Sequence, residues 1–212
     1  MDPPGGGNQI GKDIAAGRLY PGLGPAYNSP MSKPPLLAHI CCAPDAIYAI
    51  AELQRVYDVS GYFANSNIWP TEEYDLRWME TQKVEALLRF RLIEGVYDYK
   101  GWEKRTAPFA DAPEKGRRCD ICYALRLDET ARRAAELGLP AFATIMSVSP
   151  WKKADVLNRI GRALGRKYGL RFVESDFKKK GGFQKSVELS RAHGLYRQDY
   201  CGCKPSWRPR GR

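Results

Sequence analysis

Leu36-Leu37-Ala38-His39-Ile40-Cys41-Cys42-Ala43-Pro44-Asp45 is the stretch around which the rest of the chain is organised. The first five residues are an apolar run around one histidine, which reads as a buried strand. Pro44 suits the first turn of a helix, where a missing N–H is no loss. The two cysteines therefore sit at a strand end, with the N-terminus of a helix pointing at them. That dipole favours negative charge and lowers thiolate pKa values. Asp45 adds a carboxylate in the same first turn. Ordinary core packing is the competing reading, because free cysteine is often simply buried.

Outward from this stretch, strands and helices alternate. A helix runs from Pro44 to about Tyr57, and Val59–Ala64 is a second strand. It ends in the polar loop Asn65-Ser66-Asn67-Ile68-Trp69-Pro70. Thr71 is expected to cap the next helix, which carries Glu72 and Glu73 in its first turn and reaches about Phe90. Arg91–Tyr97 is a third strand and Trp102–Lys115 a mixed loop region. Arg118 to about Leu137 is a helix closed by Gly138. Ala141–Met146 is a fourth strand. Ser149-Pro150 opens a helix with Leu157, Ile160, Leu164 and Tyr168 at spacings of three and four. Leu170–Glu174 is a fifth strand, and Gly181 to about His193 a last helix.

This alternation predicts an α/β fold, a parallel, doubly wound five-stranded sheet flanked by helices. Sites in such sheets form beyond the carboxyl ends of the strands. Cys41, Cys42, the Asn65–Pro70 loop, Ser147–Pro150 and Asp176 are thus expected on one rim. Residues 1–33, with Gly5-Gly6-Gly7 and several prolines, read as a flexible extension. Residues 34–206 read as one domain, and 207–212 as a basic tail.

The 212 residues are 43% hydrophobic, enough for a core, and no apolar run reaches transmembrane length. The first thirty residues lack the apolar segment of a signal peptide. A cytoplasmic protein with reduced cysteines is expected, which favours metal or redox chemistry over structural disulfides. Net charge is +10 and lopsided. From Trp151 onward there are 17 Lys and Arg against 5 Asp and Glu, while the first 150 residues carry a balance of −2. A basic C-terminal third suits a polyanionic partner, RNA or DNA first. Lys152, Lys153, Lys178, Lys179, Lys180 and Lys185 are the candidate phosphate contacts. Trp69 is a candidate for stacking on a base.

All six cysteines fall in pairs: Cys41-Cys42, Cys119-Asp120-Ile121-Cys122 and Cys201-Gly202-Cys203. The C-x-x-C opens a helix and suits a redox dithiol, a zinc site or an iron–sulfur cluster. In the C-x-C, glycine gives the backbone freedom to aim both thiols inward, toward a metal or into a strained, redox-active disulfide. Zinc closes at four ligands, so six cysteines and Asp45 are too many for one structural zinc. A four-cysteine [4Fe–4S] cluster leaves two thiols and a carboxylate for a second metal or a dithiol. With only two histidines in the chain, a histidine-built metal centre is nearly excluded. His39 reads as a core residue and His193 as a solvated one.

Several stretches together resemble the epoxyqueuosine reductase QueH family. They are His39-Ile40-Cys41-Cys42-Ala43-Pro44, Arg118-Cys119-Asp120-Ile121-Cys122-Tyr123-Ala124-Leu125-Arg126-Leu127, Ser147-Val148-Ser149-Pro150, Asp176-Phe177-Lys178-Lys179 and Gly194-Leu195-Tyr196-Arg197-Gln198-Asp199-Tyr200-Cys201-Gly202-Cys203. The resemblance covers about Leu36 to Ser206. It implies a Rossmann-like fold of the adenine-nucleotide-hydrolase branch and the last step of queuosine synthesis. In that step an epoxide on a modified wobble guanosine of a tRNA anticodon becomes an alkene. It further implies a [4Fe–4S] cluster with an additional iron, and an electron donor that the sequence does not identify. Cys41, Cys42, Cys119 and Cys122 match cluster cysteines. Cys201 and Cys203 match a pair described as a redox disulfide or as ligands, and Asp45 matches an acid that can ligate the extra iron. Asp45, Cys201 and Cys203 are accordingly the expected catalytic residues. One departure stands out: Trp69 replaces the histidine expected in the family's Asn-Pro-Asn-Ile-His-Pro, and tryptophan cannot serve as an acid.

Two other classes compete. A zinc-stabilised, non-catalytic RNA-binding module shares the basic third and the C-x-x-C, but leaves Cys41-Cys42 and the surplus thiols unexplained. An adenine-nucleotide-dependent tRNA thiolase wants a glycine-rich phosphate loop after the first strand. Cys41-Cys42-Ala43-Pro44-Asp45 stands there instead.

Overall fold

Alternate residues of β1 (Pro35–His39) leave the sheet on opposite faces, as strand geometry requires. Leu36 and Ala38 enter a core with Ile47 and Ile50 of helix α1 (Ala43–Gln54). Leu37 enters a second core with Phe142 and Ala131. Leu36, Leu37, Ala38 and His39 are all fully buried, so this strand is central. The computed structural model describes residues 33–207. The expected extension and Arg-rich end lie, apart from Lys33 and Trp207, outside the described residues.

Four more parallel strands pair around β1: β2 (Asp58–Phe63), β3 (Arg91–Glu94), β4 (Ala141–Thr144) and β5 (Arg171–Phe172). Their order is β3-β2-β1-β4-β5. The chain therefore builds outward from β1 to β3 and then returns to β1's other side. The strand order reverses between β1 and β4, where Leu37 pairs with Phe142 and His39 with Thr144. A doubly wound sheet opens a crevice at such a point. Helices α1, α2 (Thr71–Leu88) and α6 (Gly182–Ala192) pack together, and so do α4 (Arg117–Glu136) and α5 (Ala154–Tyr168).

The expected fold class stands, with corrections in detail. Helix α3 (Tyr99–Thr106) runs into the supposed loop Trp102–Lys115, and a 3-10 turn over Ala107–Phe109 follows it there. Asp98 caps α3 by accepting a hydrogen bond from the Gly101 N–H at 2.8 Å. The third and fifth strands are shorter than expected, because pairing stops at Glu94 and Phe172. Ser149-Pro150 precedes a turn, and α5 starts at Ala154. Thr71 is the first residue of α2, preceded by Pro70, and gives no side-chain cap.

Candidate active site

Cys41 and Cys42 leave the end of β1 as the chain enters α1, with Cys42 at the N-cap. The Cys41 Sγ lies 3.8 Å from the Cys42 Sγ and 3.5 Å from Asp45 Oδ2. One donor atom from each of the three falls within 4.8 Å of the others, a spacing that one metal ion could bridge. The crowding shows in their protonation. Cys42 is pulled down to about 6 by its hydrogen bond with Cys41, against the effect of burial, and by the Asp45 backbone N–H. Cys41 is pushed well up by that same hydrogen bond and by burial. Burial and the neighbouring Cys42 charge push the Asp45 carboxyl well above the usual range. The charge on Cys42 is thus held at the expense of Cys41 and Asp45, a competition that a cation between the three would relieve.

The C-x-x-C comes in from α4. Cys119 packs with Tyr123 and Met146 in a cluster that Cys41 joins. Cys122 packs with Trp102 and Cys203. Burial raises both thiols of this pair.

The C-x-C arrives on the C-terminal segment and is held by α2. Arg77 is buried and paired with Glu73 at 2.7 Å. It donates to the carbonyls of Cys201 and Tyr200, each at 3.2 Å, and its guanidinium lies 5.2 Å from the Tyr200 ring centroid. Gly202 has φ +115, and a Cβ there would meet Arg77 Nη1 at 3.0 Å. Glycine is required at that position by both conformation and space. The Trp69 N–H donates to the Gly202 carbonyl at 2.7 Å. All six cysteines are free thiols here. Cys201 is drawn well down by its hydrogen bond with Cys203 and, against burial, by Lys152. The Lys152 Nζ sits 2.6 Å from the Cys201 sulfur. Burial alone would lower Lys152, but the Cys201 charge outweighs it and keeps the ammonium.

Some of these parts line one cleft at the reversal point of the sheet, while Cys119, Cys122 and Cys203 lie outside its lining. Its walls include Cys41, Cys42, Asp45 and Cys201, and the cations Arg77, Arg126, Lys152 and Arg197. Arg126 is held by the Ala64 carbonyl at 3.3 Å and by the side-chain oxygen of Asn65. Its charge, after burial, helps keep His39 neutral. His39 Nε2–H donates to the Ala64 carbonyl at 3.2 Å, and Nδ1 accepts from the Thr144 hydroxyl at 3.0 Å. His39 is therefore a satisfied core histidine, as expected. Trp151 stands at the cleft wall, 61% exposed, with Lys115 Nζ 4.6 Å from its ring centroid.

Other candidates scatter. Lys153, Lys179 and Lys180 are exposed near the same rim, and Lys178 pairs with Asp176 at 2.7 Å. Lys185 belongs to a different hollow, between α1 and α6 beside Tyr48 and Glu52. Trp69 does not line the cleft. It packs edge-on against Trp207 at 5.8 Å, under Lys204. Sequence reading passed over Arg77, Arg126, Arg197 and Trp151 as site residues. Arg126 and Arg197 lie within motifs already quoted, while Arg77 carries no local signal.

A family model described as Epoxyqueuosine reductase QueH matches residues 36–208. The chain belongs to this family. It is 36% identical over 177 residues to the epoxyqueuosine reductase QueH of Streptococcus pyogenes serotype M1, covering 81% of this chain and 69% of that relative. It is 34% identical to the protein of that name from Thermotoga maritima, covering 79% of this chain and 88% of the relative. A crystal structure titled as a predicted subunit of tRNA methyltransferase from Methanocaldococcus jannaschii matches with TM-score 0.54 and 12% identity, over 82% of this chain and 93% of that one. The last likeness concerns the fold alone. All three cysteine pairs of this QueH family member lie within the matched residues.

Proposed function

We propose that this chain reduces epoxyqueuosine to queuosine at the wobble position of tRNA anticodons. Family membership supports the reaction. The observation that carries it here is the convergence of the Cys41, Cys42 and Cys201 thiols and the Asp45 carboxyl on a cleft that also holds four cations, at the sheet's reversal point. The donor set fits iron: soft thiolates suit a cluster, and the Cys41, Cys42 and Asp45 donors are already within bridging distance. Cys41, Cys42, Cys119 and Cys122 would hold a [4Fe–4S] cluster, with Asp45 beside it for one additional iron. Such a centre supplies electrons singly and a Lewis acid for the epoxide oxygen.

The chain's own groups do the rest. Lys152 keeps a proton at Nζ inside the cleft and offsets negative charge growing on the departing oxygen. The same ammonium holds Cys201 as a thiolate, while Cys203 keeps its proton and hydrogen-bonds to it. The pair can thus cycle between dithiol and disulfide. Arg197 and the exposed Lys153, Lys179 and Lys180 meet phosphates of the anticodon loop. A wobble base turned out of the loop reaches the recessed donors, with Trp151 as its stacking platform. Trp151 thereby takes the stacking role that the sequence pattern suggests for Trp69. No described helix is long and apolar enough to cross a membrane, and the reading places the protein with tRNA in the cytoplasm.

The test is iron, zinc and acid-labile sulfide content after anaerobic purification, followed by dithionite-driven turnover of epoxyqueuosine tRNA. About four to five irons and four sulfides per chain, with queuosine formed, are expected. One zinc, no sulfide and no turnover would establish the RNA-binding module instead.

A further inference from the structure

Trp102 is buried in α3 and packs in one cluster with Cys122 and Cys203. It also lines a surface hollow with Tyr99, Ala107, Ala110 and Pro205. This hollow is separate from the cationic cleft: neither Trp102 nor Tyr99 lines the cleft. The Tyr99 and Trp102 rings lie 5.8 Å apart at 32°. Two aromatic rings in contact therefore lead from the surface to the sulfurs of two cysteine pairs. Part of the hollow's wall is apolar, and its charged lining is Arg118 and Lys204 against a single acid, Glu103. Lys100 and Lys104 are exposed on the same helix, about two turns and one turn before Ala107.

The reductase reading leaves a problem of access. A tRNA seated in the cleft covers the side from which Cys41, Cys42 and Cys201 are reached. Electrons must then enter elsewhere while substrate is bound. We propose that the Trp102 hollow docks an acidic protein that carries one electron at a time, and that its electrons pass through Trp102 to the cysteine-held centre. This rests on the reductase reading. Two carriers each lose one electron per turnover. Both C–O bonds of the epoxide break, a C=C bond forms, and the oxygen leaves as water with two protons from solvent. A small, partly apolar hollow whose surroundings carry more cations than acids, Arg118, Lys204, Lys100 and Lys104 against Glu103, suits a transient contact with an acidic electron carrier. An RNA backbone would want its cations at the centre of the patch, where this hollow has alanines and a tryptophan.

The test uses full-length, cluster-loaded protein and two acidic probes, a flavodoxin and a [2Fe–2S] ferredoxin. Binding is measured at low salt for the wild type and for Lys100→Glu/Lys104→Glu. The proposal expects at least one carrier to bind, and the double variant to lose roughly tenfold or more in affinity and in carrier-driven turnover. Dithionite-driven turnover and tRNA affinity should be unchanged. Equal carrier binding by the variant, no binding of either carrier to the wild type, or a loss of tRNA affinity in the variant would each overturn it. Absence of dithionite-driven turnover in the wild type would sink the reductase reading separately, and carrier binding would still decide the docking face.

Discussion

Lys152 shows how much a residue's meaning depends on where the backbone carries it. Its place in a basic stretch assigns it to phosphate contact, but its ammonium is turned inward against the Cys201 sulfur at 2.6 Å. A buried ammonium costs several kcal/mol unless paired, so the thiolate is as much a support for the lysine as the reverse. Lys152→Met removes the ammonium that hydrogen-bonds to that sulfur. Single-turnover reduction at saturating tRNA should slow by about 10²–10³-fold, the usual loss when a preorganised charge is deleted. tRNA affinity should change far less. An unchanged rate would remove Lys152 from the chemistry. The seven donors, by contrast, are legible in the sequence, because cysteine is scarce and its close pairs have few uses. Trp151 and Arg126 are not: each gains its role from facing a cleft that only the finished sheet creates.

At the scale of elements, α2 acts as the clamp on the C-terminal segment. Arg77 reaches across 124 positions of sequence to the Cys201 carbonyl, and Glu80 accepts the Tyr196 N–H at 2.9 Å. Glu73 accepts from the Tyr196 hydroxyl at 3.0 Å and from Arg77 at 2.7 Å. Arg77→Met leaves Glu73 charged and nearly enclosed, so a cost of about 3 kcal/mol in urea unfolding is expected. The segment should also become trypsin-sensitive after Arg197, which Gln198 follows; the Lys204–Pro205 bond resists trypsin in any case. Arg77→Lys restores charge but not the fork, and should recover stability without restoring protection. Equal protection in Arg77→Met would show that Trp69 and Gly202 hold the segment unaided. Such a clamp leaves little trace in the sequence. The buried stripe Tyr74, Arg77, Thr81, Val84 has helical spacing but polar middle members, which reads as a solvated face. Helix α3 is illegible for a different reason. It has eight residues, a glycine at its third position and a polar composition, so capping and tertiary packing decide it. The alternation of strands and longer helices is read without difficulty, because β1 and β4 are apolar throughout their paired lengths apart from His39 and Thr144.

For the molecule as a whole, the lopsided charge acquires a geometry. The basic third supplies Lys152 and Arg197 to the cleft and exposes Lys153, Lys179 and Lys180 near it, while Arg77 and Arg126 come from the more neutral part. Lys152, Arg77 and Arg126 are engaged with sulfur, carboxylate or backbone, so phosphates are left to Arg197 and the three exposed lysines. About four such contacts to a single-stranded loop give a salt slope near −3 on logarithmic axes. Raising salt from about 0.05 to 0.2 M should therefore weaken tRNA binding by about 50-fold. The two kinds of contact then separate by measurement. Replacing Lys153, Lys179 or Lys180 with Ala should reduce the slope by about 0.7 each. Trp151→Ala should weaken binding by about 1–3 kcal/mol at every salt concentration and leave the slope alone, because stacking releases no counterions. If Trp151→Ala changes the slope instead, the cation that Trp151 supports, Lys115 above its ring, is the group that meets phosphate. A binding curve flat in salt would mean that recognition rests on the recessed cleft rather than on the exposed basic rim.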